Sequence, residues 1–309
     1  MRIPIRSTLF SLAAAWLLQP LSASAWTWDN TCEGGTVGAL VAQTSLTGFT
    51  STFSSTVYSK DQAATGTQSC KLGITAGSDG WGQWGGTITY PSKISSGGQV
   101  WARVSLFVPS GFNLTTNDGI LKFMRIHTAN SGGSNVGYHD LLISLPGFLE
   151  YNALGKVLSS PAYVYSFEGF PNMQAVGTQA TTPVGYGKWE TYEMWVKFDT
   201  VAKASGGTGE VRIWKNNQLL LDTSQQTLVS STDVSDYFYL FTYWNGNAPA
   251  TQSLYVDDII VSTDTPGNKD SAGNPCLCGP QPGGPLSTTS PPASSGTTTP
   301  DPPSNVTVQ

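Results

Sequence analysis

One short run of the chain combines a histidine, one of only two, with an arginine. In Lys122–His127 the two-residue period of a β-strand would place Arg125 and His127 on one face with Phe123, and Met124 on the other. Burying an unpaired arginine and histidine in a core costs free energy, so we expect both to line a groove. A histidine can take a proton near neutral pH, and an arginine can offset a negative charge.

Other residues could join or replace this pair. Arg103 lies on the polar and aromatic face of the alternating run Val100–Val108 and would stand beside Arg125 if their strands share a sheet. His139, after Tyr138, competes with His127 for the role of base. A histidine that is simply hydrogen-bonded in place at a strand end also fits the sequence.

A late aromatic run, Tyr237–Asn247, predicts a strand with one face in the core. Tyr243 and Trp244 precede Asn245, and rings beside amides suit a sugar, whose C–H faces stack on aromatics. Period-2 alternation puts Tyr243 on the face of Tyr237. A purely packing role for these aromatic residues stays open.

The elements that must hold these residues are strands. Runs rich in β-branched and aromatic residues recur along the chain between Gly, Pro, Asn and Ser, and no 3.6-residue apolar period persists over three turns. Many evenly spaced strands without helices predict an all-β sandwich or barrel.

Charge limits the partners. Charged residues make up 11% of the chain, and 15 Lys and Arg against 20 Asp and Glu give a net charge of −5. Nucleic-acid binders carry basic patches, so this balance argues against such a partner. A surface of Ser, Thr, Asn, Gln and Gly suits an extracellular protein that binds neutral or weakly charged ligands.

Both ends differ from the middle. Residues 1–25 have an arginine-bearing start, a short apolar run and small residues at Ala23–Ala25, which predicts a signal peptide and a secreted or periplasmic protein. Residues 26–279 are expected to form one domain. Residues 280–309 are a Pro/Ser/Thr-rich linker whose end, Pro302–Val308, looks like the opening strand of a fibronectin type III repeat, so we expect a longer modular protein.

Four cysteines allow three disulfide pairings in an exported protein. The sequence favours Cys32–Cys70, because a bridge between Cys276 and Cys278 would close a very small, strained ring. Zinc is a weaker alternative, since there are only two histidines and no Cys-x-x-Cys pair.

The order of these motifs resembles that in jelly-roll polysaccharide lyases of the alginate-lyase type. Those enzymes carry an arginine strand, a Gln-Ile-His or Gln-Val-His strand and a late Tyr-Asn strand; Arg103, Arg125-Ile126-His127 and Tyr243 stand at the matching places, with Arg125 replacing the glutamine. The run Trp189–Phe198 and the Tyr-Val-Asp-Asp strand from Tyr255 are similar to concanavalin-like lyase and lectin domains.

The resemblance implies a two-sheet antiparallel β-jelly-roll sandwich with a concave carbohydrate-binding face, and β-elimination on a uronate glycan by a monomer. The catalytic set would be Arg103 and Arg125 against the substrate carboxylate, His127 as base and Tyr243 as acid or base. Substrate-binding residues would be Tyr138, His139, Trp195, Lys197, Trp244 and Asn245. The alternative is a non-catalytic, lectin-like module of a larger secreted protein.

The resemblance also implies structural calcium. In many such domains a glutamate of the first strand and an aspartate of the last share the ion, and Glu33 and Asp258 are the matching residues. Solvated carboxylates at strand edges are the alternative. A glycosidase is disfavoured, because Glu190 and Glu193 are three residues apart and face opposite sides of a strand.

Overall fold

The fold was analysed in a computed structural model. The structure describes residues 25–42, 48–115, 119–145, 160–168, 172–175, 182–201, 205–207, 209–242 and 244–279. The predicted signal peptide, apart from residue 25, and the predicted linker lie outside these residues. Within them, no helix is long and apolar enough to cross a membrane.

Fifteen strands account for the architecture of the described residues. Their bounds are β1 Thr27–Asn30, β2 Ser51–Thr52, β3 Thr56–Ser59, β4 Ser69–Ile74, β5 Gly86–Ser95, β6 Gln99–Phe107, β7 Ile120–Ala129, β8 Asn135–Ser144, β9 Ala162–Glu168, β10 Asn172–Ala175, β11 Trp189–Lys197, β12 Gly209–Lys215, β13 Gln218–Gln225, β14 Val234–Leu240 and β15 Gln252–Ser262.

The strands form two antiparallel sheets. The eight-stranded sheet has the order β13-β12-β11-β6-β15-β4-β3, with β1 also paired to β15, and the seven-stranded sheet has the order β10-β9-β8-β7-β14-β5-β2. Consecutive strands of the chain often lie in different sheets. This arrangement confirms the predicted all-β sandwich.

The core lies between the sheets and follows the two-residue period of the strands. On β6, Ala102, Val104 and Leu106 are buried in it, and β7 contributes Met124 and Ile126 from the other sheet. We call the opposite side of each sheet, which points away from this core, its outer face.

Two local irregularities break the alternation. A register shift between Lys122 and Met124 of β7 places both Phe123 and Met124 in the core, so the expectation that Phe123 shares a face with His127 is wrong. After β14, Phe241 adopts a positive φ of 49° and also enters the core. Beyond each irregularity, the alternation between core-facing and outward-facing residues is shifted by one position.

Two disulfides are present. Cys32–Cys70 confirms the favoured pairing. The expectation that Cys276 and Cys278 stay unbridged is wrong, because their Cα atoms lie 5.0 Å apart and the two sulfurs are bonded. The second bridge belongs to residues 264–279, which we call the C-terminal clasp.

The clasp lies on the outer face of the eight-stranded sheet. Cys276 and Cys278 pack there in a separate apolar cluster with Trp101, Trp195 and Trp214. Hydrogen bonds attach it at several points, among them the indole of Trp214 donating to Asp270 at 2.8 Å. The clasp therefore covers the part of this outer face that is formed by β6, β11 and β12.

Candidate active site

The outer face of the seven-stranded sheet carries a cluster of polar and aromatic side chains. Because β7 alternates after its bulge, Arg125 and His127 point away from the core, opposite to Ile126. Strands β8, β9 and β14 add their own residues beside them, since β8 and β14 flank β7 directly. We call this group the outer-face cluster. Its members are Lys122, Arg125, His127, Tyr138, Asp140, Glu168, Asp236, Tyr237 and Tyr239.

His127 is oriented by a carboxylate. Its Nδ1 lies 2.6 Å from an oxygen of Asp236, and its ring stacks on Tyr237 with centroids 3.9 Å apart. Among the described residues, Nε2 is buried and has no hydrogen-bond partner. If Nδ1 carries the proton that it shares with Asp236, Nε2 is the basic nitrogen. This arrangement is that of an oriented general base.

Asp236 and Tyr237 are adjacent in sequence, yet both contact His127. Strict alternation would send them to opposite faces. The pairing of β14 shifts register between Ser235 and Phe238, and a β-bulge of this kind re-aims side chains. The irregularity thus creates the contact that holds the imidazole.

Two tyrosines, Tyr138 and Tyr237, contact the imidazole, and a third, Tyr239, packs against both of them. The ring centroids of Tyr138 and His127 are 5.0 Å apart, and those of Tyr237 and Tyr239 are 4.6 Å apart. Burial raises the pKa of Tyr138, and burial together with hydrogen bonds to Tyr138 and Tyr239 raises the pKa of Tyr237 well above its ordinary value. Tyr138 and Tyr237 therefore stay protonated at neutral pH and can act as proton donors.

Arg125 is held on all three guanidinium nitrogens. Nε donates to Asp140 at 2.7 Å, Nη1 donates to Thr242 at 3.3 Å, and Nη2 donates to Glu168. The ring of Tyr138 lies over the guanidinium at 3.7 Å. With its side chain only 4% exposed, Arg125 is fixed in place by the protein.

The charges around Arg125 nearly balance. Lys122 lies 3.0 Å from Glu168 and 3.8 Å from Asp140, so two cations face two carboxyl groups. Burial raises the pKa of Asp140 to about 6, although the nearby cations act in the other direction. The pKa of Glu168 is lowered by Arg125 and Lys122 despite its burial. The net charge of this group therefore changes near pH 6.

An exposed tryptophan extends the cluster along the sheet. Trp81 is 58% exposed, and its ring lies 6.3 Å from Tyr239 and 6.0 Å from Phe53. Tyr239 in turn lies 6.3 Å from Tyr138. A row of rings that leads from solvent to His127 is a surface on which sugar rings could stack.

Several predicted site residues lie elsewhere. His139 is fully buried on the core side of β8, where Nδ1 lies 2.7 Å from the Tyr165 hydroxyl and Nε2 lies 2.9 Å from the carbonyl of Thr227. Burial lowers its pKa to about 4. The expectation that His139 binds substrate or competes as the base is therefore wrong, because the residue is buried, both nitrogens have internal partners and the ring stacks on Phe167.

The predicted residues of the eight-stranded sheet are also separated from His127. Arg103 and Trp195 lie on the outer face beneath the clasp, where Arg103 donates to the carbonyl of Leu277 at 2.9 Å. Lys197 ends β11 in the same sheet and is exposed. The expectation that Arg103 stands beside Arg125 is wrong, because β6 and β7 belong to different sheets and the core lies between them.

The predicted site residues of the late aromatic run, Tyr237–Asn247, do not share one location. Trp244 is fully buried in the core and stacks on Trp84, so it is not available to a sugar. Asn245 is half-buried, and its backbone N–H donates to the carbonyl of Ile120 at 3.0 Å. Tyr243 lies outside the described residues.

The predicted calcium ligands accept hydrogen bonds from one loop. Glu33 accepts from the N–H groups of Thr67 and Gln68 at 2.7 and 2.8 Å, and Asp258 accepts from the hydroxyl of Thr65 at 2.8 Å. Donors of this kind compete with a cation for the carboxylate oxygens. Within the described part of the chain, no group of three Asp, Glu, His or Cys side chains could hold a metal ion. Calcium here stays a prediction, and a calcium titration followed by thermal unfolding tests it.

The sequence did not identify Lys122, Asp140, Glu168, Asp236 or Trp81. Tyr239 lies directly opposite Arg125 only because β14 pairs with β7, and that pairing joins residues more than 100 apart. The position of Glu168 depends on β9 pairing with β8 over a long separation, and that of Asp236 depends on a bulge.

Comparison with solved structures supports the fold. Alginate lyase Aly36B is similar with a TM-score of 0.50 at 10% identity, over 76% of this chain and 96% of that enzyme. The endo-β-1,4-glucuronan lyase of Trichoderma reesei has a TM-score of 0.45 at 12% identity, covering 77% and 95%. No protein-family model and no curated protein matches the chain. The chain thus has the β-jelly-roll fold found in solved polysaccharide lyases.

Proposed function

We propose that this protein is a secreted polysaccharide lyase that cleaves a uronate-containing glycan by β-elimination at the outer-face cluster. The observation that carries the proposal is the imidazole of His127, which is fixed by Asp236 through Nδ1 and lies among tyrosines and two cations. The fold shared with alginate lyase Aly36B agrees with this activity. The two disulfides agree with export.

β-Elimination first requires that the uronate carboxylate be neutralised, because the C–H beside it is a weak acid. In the free protein Glu168 lies between Lys122 and Arg125, with its side chain 42% exposed. We infer that the substrate carboxylate takes this place while Glu168 turns toward solvent. The two cations would then offset the charge that develops on the carboxylate.

The remaining steps need a base and an acid. Nε2 of His127 is buried in the free protein, so a bound substrate must first displace the side chains that cover it. Nε2 would then remove the proton beside the carboxylate, and Asp236 would stabilise the imidazolium that forms. A tyrosine hydroxyl, which is protonated at neutral pH, would donate to the leaving glycosidic oxygen, and Tyr138 and Tyr237 are the tyrosines in contact with the imidazole. Trp81 would stack on a neighbouring sugar of the chain.

The competing function is a non-catalytic carbohydrate-binding module. One specific observation favours it: Arg125 is already paired on every nitrogen, which is a structural role, while Trp81 is exposed beside the cluster. A binding module needs only the ring surface and amide or hydroxyl groups, without a base.

Product formation separates the two functions. The full chain is incubated with a panel of uronate polymers, and the absorbance of the unsaturated uronate product is followed. We expect product from at least one polymer, loss of product with retained binding in His127→Ala, and weaker binding in Trp81→Ala. The matched control is Leu40→Ala, which shortens an exposed apolar side chain that belongs to neither proposed site. Binding of a polymer without product by the unaltered protein would reject the lyase and favour the module.

A further inference from the structure

A second concavity lies away from the outer-face cluster. It has a volume of about 460 Å³ and is formed by the 183–190 segment and the turn between β12 and β13. This volume falls in the range of roughly 300–1,000 Å³ that small-ligand sites occupy. The cavity is lined on one side by the charged residues Lys188, Glu190 and Lys215.

A buried carboxylate anchors the cavity. Glu190 is 3% exposed and accepts from the hydroxyl of Tyr192 at 2.6 Å and from the N–H of Gly185 at 3.1 Å. Lys215 lies 3.1 Å from it and also donates to the carbonyl of Pro183 at 2.8 Å. These contacts fix Lys215 at the wall, with its side chain only 11% exposed.

The charges of the cavity do not balance. Lys188 also pairs with Glu190, at 3.3 Å, so two ammonium groups share one carboxylate and one positive charge remains in excess. Lys215 and Glu190 form the buried pair, so the excess positive charge lies at Lys188, whose side chain is 65% exposed at the rim of the cavity. A ligand with one negative charge would therefore be favoured.

The other wall offers neutral contacts. Tyr186, Val184 and Leu220 provide ring and aliphatic surface, while Asn216 and Gln218 provide amides. The amide oxygen of Asn216 accepts from the N–H of Thr191 at 2.8 Å, so a ligand would meet its amide nitrogen. Apolar surface next to amides suits a sugar ring, which has C–H faces and hydroxyl edges.

The cavity is remote from the outer-face cluster. It adjoins the start of β9, because Ala162 pairs with Pro183, whereas Glu168 of the cluster ends β9. Six residues of a strand span about 20 Å at a rise of roughly 3.3 Å per residue. One sugar residue cannot contact both places at once.

We propose that this cavity is a second carbohydrate site, which binds a sugar residue carrying a single carboxylate. The carboxylate pairs with Lys188 and Lys215, the ring packs on Tyr186, and the hydroxyls contact Asn216 and Gln218. The site holds a uronate chain or its end without cleaving it. It does not depend on the lyase activity, because binding here uses no residue of the outer-face cluster.

Isothermal titration of the full chain with D-glucuronate, D-glucose, acetate and sulfate tests the site. We expect D-glucuronate to bind at least tenfold more tightly than the other three. Lys188→Glu should weaken binding of D-glucuronate at least fivefold. The matched control is Lys60→Glu, which changes an exposed lysine just after β3, at the opposite edge of the eight-stranded sheet, and should leave the affinity unchanged. Lys188 is 65% exposed, so its replacement leaves the fold intact.

Three results would overturn the proposal. If acetate or sulfate bound as tightly as D-glucuronate, the site would recognise simple anions and not a sugar. If D-glucose bound as tightly as D-glucuronate, the carboxylate would not contribute to binding. Unchanged affinity in Lys188→Glu would place the sugar elsewhere. Trp81→Ala identifies that case, because loss of binding there would assign the sugar to the outer-face cluster. These binding measurements can be interpreted even if the lyase assay detects no product.

Discussion

At the scale of single residues, the contact between His127 and Asp236 is the feature on which the proposed chemistry depends. The carboxylate lies 2.6 Å from Nδ1, and the opposite nitrogen has no partner among the described residues. A histidine with a structural role alone would use both nitrogens, as His139 does. The difference between the two histidines favours His127 over His139 as the proposed base.

Asp236→Asn tests this assignment. The amide keeps the size and one hydrogen bond but removes the charge that stabilises the imidazolium, so we expect kcat to fall by about 10²–10³ while KM changes less than about twofold. The control is Asp222→Asn, an exposed carboxylate paired with Arg212 on the other sheet. An unchanged kcat in Asp236→Asn would contradict the assignment.

Glu168 provides the second prediction at this scale. If its carboxylate holds the place of the substrate carboxylate, Glu168→Gln removes a competing charge and should lower KM by about threefold to tenfold, that is by roughly 1 kcal/mol of binding free energy. Steady-state kinetics on a uronate polymer measures it. Glu210→Gln, beside Arg212, is the matched control. A rise in KM would show instead that Glu168 positions Arg125 for the substrate.

At the scale of elements, the sequence predicted the strands better than the faces they present. The alternation of Val100–Val108 was read correctly, with Ala102 and Val104 in the core and Trp101 on the outer face. On β7 the faces of Arg125 and His127 were also read correctly, but that of Phe123 was not, because a bulge lies beside it. In the segment after β14, the positive φ of Phe241 shifts the period by one residue. Neither position is a glycine or follows a proline, so neither irregularity had a local signal.

The charged residues that meet between β7, β8 and β9 predict that the binding of an anionic substrate depends on pH. Lys122, Arg125, Asp140 and Glu168 face one another there, with the Tyr138 ring above. The pKa of Asp140 is about 6, above its ordinary value, so the folded state favours the protonated carboxyl. The stability that this proton provides is lost as pH rises from about 4 to 6. Below pH 6 the group carries one net positive charge, and above it none.

An anionic substrate should therefore bind more tightly at pH 5 than at pH 7. We expect KM to rise severalfold across pH 6, and Asp140→Asn to remove most of this change. KM measured at constant ionic strength checks the prediction, because salt screens the same charges. If Asp140→Asn does not fold, an NMR titration of the Asp140 carboxyl in the unaltered protein gives the pKa directly. A pKa near 4, or a KM independent of pH, would contradict it.

At the scale of the whole molecule, the sequence indicated the sandwich but not which strand joins which sheet. β6 pairs with β11 and β15, which follow it by more than 80 and 150 residues, and these partners place Arg103 on the other side of the core from Arg125. Pairing over such separations is decided by how all strands pack together, not by local pattern. The order of the motifs along the chain predicted one cleft for Arg103 and Arg125, but the two residues lie on different sheets.

The two disulfides act on the whole molecule to different extents. Cys32–Cys70 joins residues 38 apart, and on the chain-entropy model this closure stabilises the fold by about 4 kcal/mol. Cys276–Cys278 joins residues two apart, for which the same model gives about 1.5 kcal/mol. Hydrogen bonds also hold the clasp on the sheet, because the carbonyl of Leu277 accepts from Arg103 and its N–H donates to Glu193.

We therefore expect Cys32→Ala/Cys70→Ala to lower the free energy of unfolding by more than twice as much as Cys276→Ala/Cys278→Ala, as measured by urea denaturation. The second pair of changes should leave the clasp docked, because the bonds of Leu277 and of Asp270 do not involve sulfur. The fluorescence of the tryptophans beneath the clasp, Trp101, Trp195 and Trp214, reports docking directly. A large red shift in that variant, with a loss of stability equal to that of the first, would mean that the short bridge and not the hydrogen bonds holds the clasp on the sheet.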